Sequence, residues 1–493
     1  MEMKKYTILF ALWLPLTLHA ATYYASPKGT GDGSSYYEPT TFAKGVSALK
    51  NPGDTLYLLD GTYEFSDKFS VNKKGSADQR IVISGYPGEK AILDFHKVAY
   101  GTRGLTIHAE ALYVHVKDLA IAYSGKNNLY CEGSYCLFEH LDIYGSADTG
   151  CQMKKGGNNI IQNVDSHDNF DYKTMSGTTA NFGGNADGFA DKQHGGAANQ
   201  YIDCRAWNNS DDGWDFYQRT GSGKTIIEEC VCYQNGMPYY NMKNHPRYET
   251  DKDWFDSKVG TTMKDRYGNT ITVTLEQYPN QGNGNGFKMG GDGTEHHVMI
   301  HHCLSVGNSS RGFDQNNNNG IMELYNNTAY DNNVNYNFTN KYGTLYIRNC
   351  ISFGTKNPNS IKAKTVMADD HNSWNDLFAD KSDFRSLDTT QILQPRRANG
   401  WQNDGSCLRL VSGSKLIDAG VDVGCGYNGE APDLGCYETD GEHHDPDPDP
   451  EPEEAVEHIQ QAAINNHKSI KDGQLYIQVD EAVFDGLGRR TRL

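Results

Sequence analysis

The chain has 493 residues and a formal net charge of −18, from 63 acidic and 45 basic side chains. This acidic excess argues against nucleic acid and anionic lipid as partners. An anionic substrate would also be repelled unless a bound cation reversed the charge locally.

The first 21 residues are typical of a secretory signal peptide. Lys4 and Lys5 precede the apolar run ILFALWLPLTL, and HAA supplies small residues for cleavage near Ala20 or Ala21. The run is too short for a mature membrane-spanning helix. We therefore expect an exported protein with no membrane insertion.

The next segments predict an N-terminal cap for a repetitive core. ATYYASPKGTGDG reads as an opening strand, and TTFAKGVSALKNPGDTLYLLDGTYEF as a short helix followed by a first rung. Such a cap is needed because the end of an open solenoid exposes a sheet edge.

Eight later segments share an apolar residue, a variable position, a polar residue and a small or apolar one. Their polar register positions are Asp118, His140, Asn163, Asp203, Glu229, His302, Asn327 and Asn349. The successive steps are 22, 23, 40, 26, 73, 25 and 22 residues. A unit of 22–26 residues predicts one rung of a right-handed parallel β-helix, with insertions in the longer steps. The fold class is therefore all-β.

Fixed offsets from the register positions predict columns along the stack, because each rung repeats about 4.8 Å further on. The position two residues earlier is always apolar and is predicted to face inward: Val116, Phe138, Ile161, Tyr201, Ile227, Ile300, Tyr325 and Ile347. The position six residues later predicts an asparagine ladder at a turn: Asn169, Asn209, Asn235, Asn308 and Asn333.

Eleven cysteines in an exported chain would normally indicate disulfides. Four of them, Cys204, Cys230, Cys303 and Cys350, directly follow a register position. This inward column favours small buried side chains, with disulfides between adjacent rungs as the weaker alternative.

The C-terminal part reads as an end to the coil followed by an appendage. LIDAGVDVG and PDLGCYE are predicted to close the coil, so that the β-helix domain spans residues 22–440. Residues 441–455 form a linker rich in Asp, Pro and Glu, which cannot bury a core. Residues 456–493 are predicted to form a small β-hairpin tail.

A second repeated element, Gly followed by an aromatic residue, marks the candidate site. It occurs in NADGFAD, SDDGWDF, NGNGFKMGG and SRGFDQN. The residues after the aromatic share a register and should emerge in one column: Ala190, Asp215, Lys288 and Asp314. If the 73-residue step is one rung with an insertion, Lys288 lies directly after Asp215.

Four carboxylates are predicted to converge beside this lysine. Asp211, Asp212 and Asp215 are close in sequence, and Asp187 lies 24 residues before Asp211, which predicts stacking across neighbouring coils. Such a set of oxygen ligands suits Ca²⁺. The alternative is a solvated acidic turn.

A calcium ion beside a lysine on a long groove suits an acidic polysaccharide. The cation would stabilise charge that develops on a uronate during β-elimination, and Lys288 could remove the proton. Lys288 could instead form a structural ion pair with Asp215 or Asp314. Arg311 could bind a substrate carboxylate or form a surface ion pair.

The segments NADGFADK, CRAWNNSDDGWDFY, GNGFKMGG and SRGFDQNNN resemble signature segments of family nine of the polysaccharide lyases, which are pectate-lyase-like solenoids of ten coils. By this resemblance, Asp187, Asp211, Asp212 and Asp215 match calcium ligands, and Lys288 matches the Brønsted base. The resemblance implies a lyase acting on polygalacturonate or on the rhamnogalacturonan I backbone, pectic polymers of plants. The chain departs from the family by a long insertion between Glu229 and His302. We expect a monomer.

Two other functions remain open at this stage. A polygalacturonase-type inverting hydrolase also clusters aspartates, but its His-Gly segment should follow the acidic motifs, whereas His194-Gly195 lies between them. The other alternative is a non-catalytic polysaccharide-binding β-helix in which calcium only stiffens the coil.

Overall fold

The protein folds as a parallel β-helix. The computed structural model describes residues 20–362, 366–403 and 405–439, and the backbone of four strands between 466 and 491. The predicted signal peptide (1–21, except its last two residues) and the linker (441–455) lie outside the described residues. Within the described parts of the chain, no helix is both long and apolar enough to cross a bilayer.

Three columns of parallel strands form the walls of the helix. The first column contains Thr22–Ala25, Thr55–Leu58, Ile81–Gly85, Val114–Ala122, Leu137–Tyr144, Ile160–Gln162, Gln200–Ile202, Thr225–Glu228, Val298–His301, Ile321–Tyr325, Thr344–Arg348 and Val366–Asp370. The second column adds Gly61–Glu64, Ala91–Asp94, Asp165–His167, Arg205–Trp207, Val231–Tyr233, Leu304–Val306, Thr328–Tyr330 and Ile351–Phe353, and shares the two long strands at 114–122 and 137–144.

The third column carries the candidate site. It contains Phe69–Val71, Leu105–Ile107, Leu129–Cys131, Cys151–Met153, Phe189–Asp191, Trp214–Asp215, Phe287–Lys288, Arg311–Asp314, Val334–Phe338 and Asn359–Ile361. These ten strands, all within the described residues, run parallel to one another.

The predicted N-terminal cap is present. The helix Phe42–Ala48 begins at Thr41, whose side chain accepts a hydrogen bond from the Lys44 amide. Phe42 and Val46 are buried in the same apolar core as the inward side chains of the first coils. The helix therefore covers the apolar end of the solenoid.

The register positions are bends in the left-handed backbone conformation. Asp118, His140, Asn163, Asp203, Glu229, His302 and Asn349 all have φ between 49° and 57°. Asn, Asp and His tolerate this conformation better than most residues, which explains the polar residue at this position. Each bend lies between the part of the chain that pairs in the first column and the part that pairs in the second, and at Asp118 and His140 it falls within one long strand.

One register position was predicted one residue too late. Ile300 pairs with Leu324 rather than Tyr325, and the left-handed bend falls at Asn326 with φ of 50°. Leu324 is fully buried, whereas Tyr325 is only half-buried. The prediction of Tyr325 in the inward column, with Asn327 as its register residue, is therefore wrong.

The asparagine ladder is confirmed with the same correction. Asn169 donates to Asn209, Asn209 to Asn235 and Asn235 to Asn308, with Nδ2–Oδ1 distances of 2.7–3.0 Å. The next member is Asn332, which accepts from Asn308 at 2.8 Å. The predicted member Asn333 is exposed.

The cysteine column is buried and reduced. All eleven cysteines are described, and all are free thiols. Cys204, Cys230, Cys303 and Cys350 belong to the apolar core. They act as small buried side chains, so the disulfide alternative is excluded by the structure.

The 73-residue step is one rung with an insertion, because Glu228 pairs directly with His301. The insertion and its surroundings contain the helices Arg247–Thr250 and Lys252–Lys258 and the hairpin Thr262–Lys264/Thr270–Thr272. Short pairings join Tyr239–Tyr240 to Tyr278–Pro279 and Met175–Ser176 to Thr179–Ala180. Together these segments bury a separate apolar cluster around Phe170, Tyr172 and Phe255.

The segment after the last coil, which we call the lateral segment, comprises the described residues 371–403 and 405–439 and packs along the side of the solenoid. It includes the 3₁₀ turns Lys381–Asp383 and Thr389–Gln391. LIDAGVDVG and PDLGCYE were predicted to close the coil, but Asp433 accepts from Asn326, and Val421 from Asn349, through backbone carbonyls. An apolar cluster of Val231, Leu304, Leu416 and Leu434 supports this lateral packing.

The C-terminal tail forms a compact unit separate from residues 1–439. Its antiparallel strands are Asn466–Lys471, Gln474–Val479, Ala482–Asp485 and Arg490–Thr491. A hairpin is thus present, extended by two further strands. The exact domain boundaries stay a prediction.

Candidate active site

An inward stack of aromatic rings fixes the orientation of the candidate site. Phe189, Trp214, Phe287, Phe313 and Tyr336 stack along the third column with ring centroids 4.4–5.0 Å apart. Neighbouring residues in a strand point to opposite faces. The residue that follows each ring therefore points outward into one column.

The predicted outward column is confirmed by strand pairing. Ala190 pairs with Asp215, Asp215 with Lys288, and Lys288 with Asp314. Gln152 precedes this series and Asn337 follows it. The long insertion between Asp215 and Lys288 thus leaves their contact across adjacent coils intact.

Three carboxylates converge beside this column. Asp187, Asp212 and Asp215 each place an oxygen within 4.8 Å of the others, and all three are buried. The Asp212 amide donates to Asp187 Oδ1 at 3.2 Å, and Asn285 donates to Asp212 Oδ1 through Nδ2 at 2.7 Å. We call Asp187, Asp212 and Asp215 the carboxylate trio.

Lys288 lies directly against the trio. Its Nζ is 2.9 Å from Asp212 Oδ2 and 3.2 Å from Asp215 Oδ1, and its side chain is 10% exposed. The ammonium also lies 5.7 Å from the ring centroid of Tyr217. The amine is therefore held in place by the carboxylates, and a small part of the side chain stays exposed.

A second lysine, not foreseen from the sequence, closes the other side of the trio. Lys192 Nζ is 2.6 Å from Asp187 Oδ2 and 3.0 Å from Asp215 Oδ2. The sequence feature that could have identified Lys192 is its position, five residues after Asp187 and directly after the strand Phe189–Asp191. Asp215 thus contacts both lysines.

The predicted fourth carboxylate lies beside the trio rather than within it. Asp211 Oδ1 accepts a hydrogen bond from the Asn283 amide at 2.6 Å. The predicted stacking of Asp187 on Asp211 is wrong by one residue, because Phe189 pairs with Trp214 and this brings Asp187 level with Asp212. The role of Asp211 as a ligand stays a prediction.

The surroundings shift the pKa values of the acidic groups in opposite directions. Burial and the neighbouring carboxylates raise the pKa of Asp187 well above its usual value, although Lys192 opposes this. Burial, reinforced by Asp212, raises the pKa of Asp211 to about 7. Burial would also raise the pKa of Asp215, but Lys192 and Lys288 outweigh it and lower that pKa.

The two lysines are held in their charged forms. Burial alone would lower the pKa of Lys288, but the carboxylates of Asp212 and Asp215 raise it well above its ordinary value. Burial would also lower the pKa of Lys192, but the carboxylates of Asp187 and Asp215 raise that pKa well above its ordinary value.

The residues present fit a divalent cation. Four carboxylates face two ammonium groups, so two negative charges remain uncompensated when all four are ionised. The donors are hard oxygen atoms, which suit Ca²⁺, whose site takes six to eight such ligands. Zinc would instead favour His or Cys ligands.

The glycines around Lys288 serve packing. A Cβ on Gly290 would lie 2.6 Å from the Asn318 side chain, and one on Gly291 would lie 2.2 Å from the Tyr217 ring. These glycines therefore make room for neighbouring side chains.

Arg311 lies one coil beyond Lys288. Its Nη1 is 3.9 Å from Asp314 Oδ2, a distance too long for a close ion pair, and its side chain is 41% exposed. The Arg311 amide donates to Asn285 Oδ1 at 3.3 Å, which ties its strand to the coil of Lys288. The guanidinium is thus accessible on the coil next to that of Lys288.

Comparison with known proteins identifies the family. A sequence model described as the Pel9A-like right-handed β-helix region matches residues 23–249 and 248–359. The chain belongs to this family. The match also supports the right-handed sense predicted for the coil and the predicted membership of family nine of the polysaccharide lyases.

Curated relatives extend over most of the chain. Pectate lyase L of Dickeya chrysanthemi is 32% identical over 438 residues, covering 84% of this chain and 90% of the relative. Pectate lyase PEL9 of Emericella nidulans is 28% identical, covering 84% and 98%.

Solved structures agree with these relatives. The crystal structure of pectate lyase Pel9A has a TM-score of 0.70 at 30% identity, covering 85% of this chain and 96% of its own. A rhamnogalacturonan lyase shares the fold with a TM-score of 0.62 at 21% identity. The curated relatives and these solved structures together identify the chain as a polysaccharide lyase.

Proposed function

We propose that this member of the family is an exported, monomeric, calcium-dependent pectic lyase that cleaves galacturonic-acid linkages by β-elimination. The observation that carries the proposal is the position of Lys288, whose Nζ lies 2.9 Å from a buried carboxylate of the trio and whose side chain is 10% exposed. The pectate lyases among the relatives favour polygalacturonate as the polymer. The rhamnogalacturonan I backbone is the alternative.

In the proposed reaction, neutral Lys288 accepts the proton from C5 of a galacturonate. Electron density from that C–H bond forms the C4–C5 double bond as the C4–O bond to the leaving sugar breaks. A proton, taken from solvent in the simplest case, completes the leaving hydroxyl. General base catalysis of this kind contributes about 10²–10⁴-fold in rate.

The trio and Asp211 would hold calcium, with Asn285 orienting Asp212 through its amide at 2.7 Å. Bound Ca²⁺ would supply positive charge to the uronate carboxylate and offset the carboxylates that keep Lys288 protonated. Lys192 must share Asp187 and Asp215 with the ion, or move from them. Arg311 would pair with a second substrate carboxylate.

The geometry favours a lyase over an inverting hydrolase. The trio oxygens lie within 4.8 Å of one another, whereas inverting hydrolases separate their carboxyl groups by about 6.5–9.5 Å to admit water. His194 pairs with Asp191 and its side chain is 3% exposed. It is therefore occupied in a structural contact.

The test is turnover of polygalacturonate and of rhamnogalacturonan I, with calcium or with a chelator. A lyase produces a rise in ultraviolet absorbance from the unsaturated uronide, and we expect chelator to abolish it and calcium to restore it. Reducing ends without absorbance would instead indicate a hydrolase. Binding without turnover on either polymer would indicate a non-catalytic β-helix.

A further inference from the structure

A cluster of metal-ligating side chains lies away from the carboxylate trio. His301, His302 and Cys425 each offer one ligand atom, and these atoms lie within 4.8 Å of one another. The two histidines belong to the junction between the first and second columns, whereas Lys288 belongs to the third column. Cys425 comes from the lateral segment that packs beside the coil.

The backbone places both histidines on one side of the chain. Neighbouring residues in a strand normally point to opposite faces, but His302 has φ of 52° and ends the strand Val298–His301. Their Nδ1 atoms lie 3.2 Å apart, and the rings are nearly perpendicular, at 80°. Two nitrogens bound to tetrahedral zinc at about 2.0–2.1 Å would lie about 3.3–3.4 Å apart.

The carboxylate of Glu228 lies near the Nε2 atom of His301. Glu228 Oε2 lies 4.0 Å from His301 Nε2, on the preceding coil. Histidines that bind metal usually donate their other ring N–H to a carboxylate or carbonyl, which fixes the tautomer. If His301 binds through Nδ1, then Glu228 is placed to receive its Nε2 proton after a small approach.

The cluster opens into a cavity between the coil and the lateral segment. The cavity has a volume of about 920 Å³, and its lining includes Glu228, His301, His302 and Cys425. Cys425 lies between two glycines, and a Cβ on Gly426 would meet nothing within 4 Å. The thiol therefore has room to adjust toward an ion that enters from the cavity.

We propose that His301, His302 and Cys425 form a zinc site, with a water molecule from the cavity as fourth ligand. Imidazole nitrogen and thiolate sulfur are the donors that zinc prefers, and three protein ligands with one open position are a common zinc arrangement. The Cys425 thiol loses its proton to solvent when the ion binds. The ion joins the lateral segment to the coil.

The coils on either side of the cluster have other residues at the two histidine positions. At the positions of His301 and His302, the preceding coil has Glu228 and Glu229, and the following coil has Tyr325 and Asn326. An asparagine is therefore compatible with the bend at position 302. This supplies a variant, His302→Asn, that is expected to keep the fold.

The test uses the full chain without a histidine tag, loaded with calcium and titrated with Co²⁺ under reducing conditions. We expect one equivalent to produce the near-ultraviolet charge-transfer absorption of a cobalt thiolate, and Zn²⁺ to displace it. Cys425→Ser should abolish this absorption. His302→Asn should weaken cobalt binding at least tenfold, and Glu228→Gln by about 10–100-fold.

The matched control is His140→Asn. Like His302, His140 occupies a register position with a left-handed bend, but it lies in an earlier coil. It should leave the absorption unchanged, and circular dichroism should confirm the fold of each variant. Absence of a thiolate absorption, or its survival in Cys425→Ser, would overturn the proposal. Cobalt bound without this absorption, for instance at His443 and His444 of the linker, would overturn it as well.

Discussion

The two faces of the third column differ although they share the same strands. The inward face repeats an aromatic ring in five successive coils, with centroids 4.4–5.0 Å apart. The outward face carries a different residue in most of the same coils, from Ala190 through Asp215 and Lys288 to Asp314. The repeated inward rings stabilise the coil, whereas the variable outward residues, one position further along each strand, form the candidate site.

The physical reason is the environment of each face. Trp214, Phe287 and Phe313 each contact the rings of both neighbouring coils, so a change in one of these coils is felt in two others. The outward side chains instead contact one another through ion pairs and hydrogen bonds, as between Lys288 and Asp215 and between Asn337 and Asp314. Four variant sets can break or sharpen this comparison.

The largest effect is expected from Lys288→Ala. Loss of the proposed base should lower kcat on polygalacturonate by about 10²–10⁴-fold while polymer binding changes little. The measurement is initial rate by ultraviolet absorbance with saturating calcium, since calcium offsets the unpaired Asp212. Lys117→Ala, which removes an ion pair to Asp118 on the first column, is the control. More than a tenth of the normal rate in Lys288→Ala would exclude this lysine as the base.

On the inward face, Phe287→Ala should instead reduce stability. Its ring is fully buried between Trp214 and Phe313, and removal of such a side chain costs about 3–5 kcal/mol. Urea denaturation would measure the change in the free energy of unfolding. A loss below about 1 kcal/mol would show that the aromatic stack is not a principal source of stability.

The third comparison separates two neighbouring carboxylates. Asp212→Asn should weaken calcium binding at least tenfold by calorimetry, because Asp212 belongs to the trio and contacts Lys288. Asp211→Asn should have a smaller effect, since the Asn283 amide holds that carboxylate beside the trio. Equal losses in the two variants would show that Asp211 contributes as much to calcium binding as a member of the trio.

The fourth comparison lies in the asparagine ladder. Asn332→Ala removes the acceptor of the Asn308 amide and side chain, at 3.0 and 2.8 Å, and should cost about 1–3 kcal/mol because these buried donors lose their partner. Asn333→Ala changes an exposed neighbour and should stay within about 0.5 kcal/mol. Thermal unfolding of the pair measures the difference, and equal shifts would contradict the corrected register.

Several features of the site could be read from the sequence. The Gly-aromatic repeat was sufficient to align Asp215 with Lys288 across a long insertion, since both follow a ring that must face inward. It was not sufficient to find Lys192, which follows its strand by one residue and shows no repeat. It also misaligned Asp187, because Asp211 and Asp212 are the same residue type and a slip of one position leaves the pattern unchanged.

The sequence by itself determined the solenoid, its capping helix and the columns, because stacking forces the same residue types to recur at the same position of every coil. It left the register open where identical residues adjoin, as at Asn326–Asn327 and Asn332–Asn333. The tertiary structure alone decided those registers through strand pairing. It also decided the place of Lys192 and the course of the lateral segment, since contacts between segments without a repeat depend on the folded chain in three dimensions.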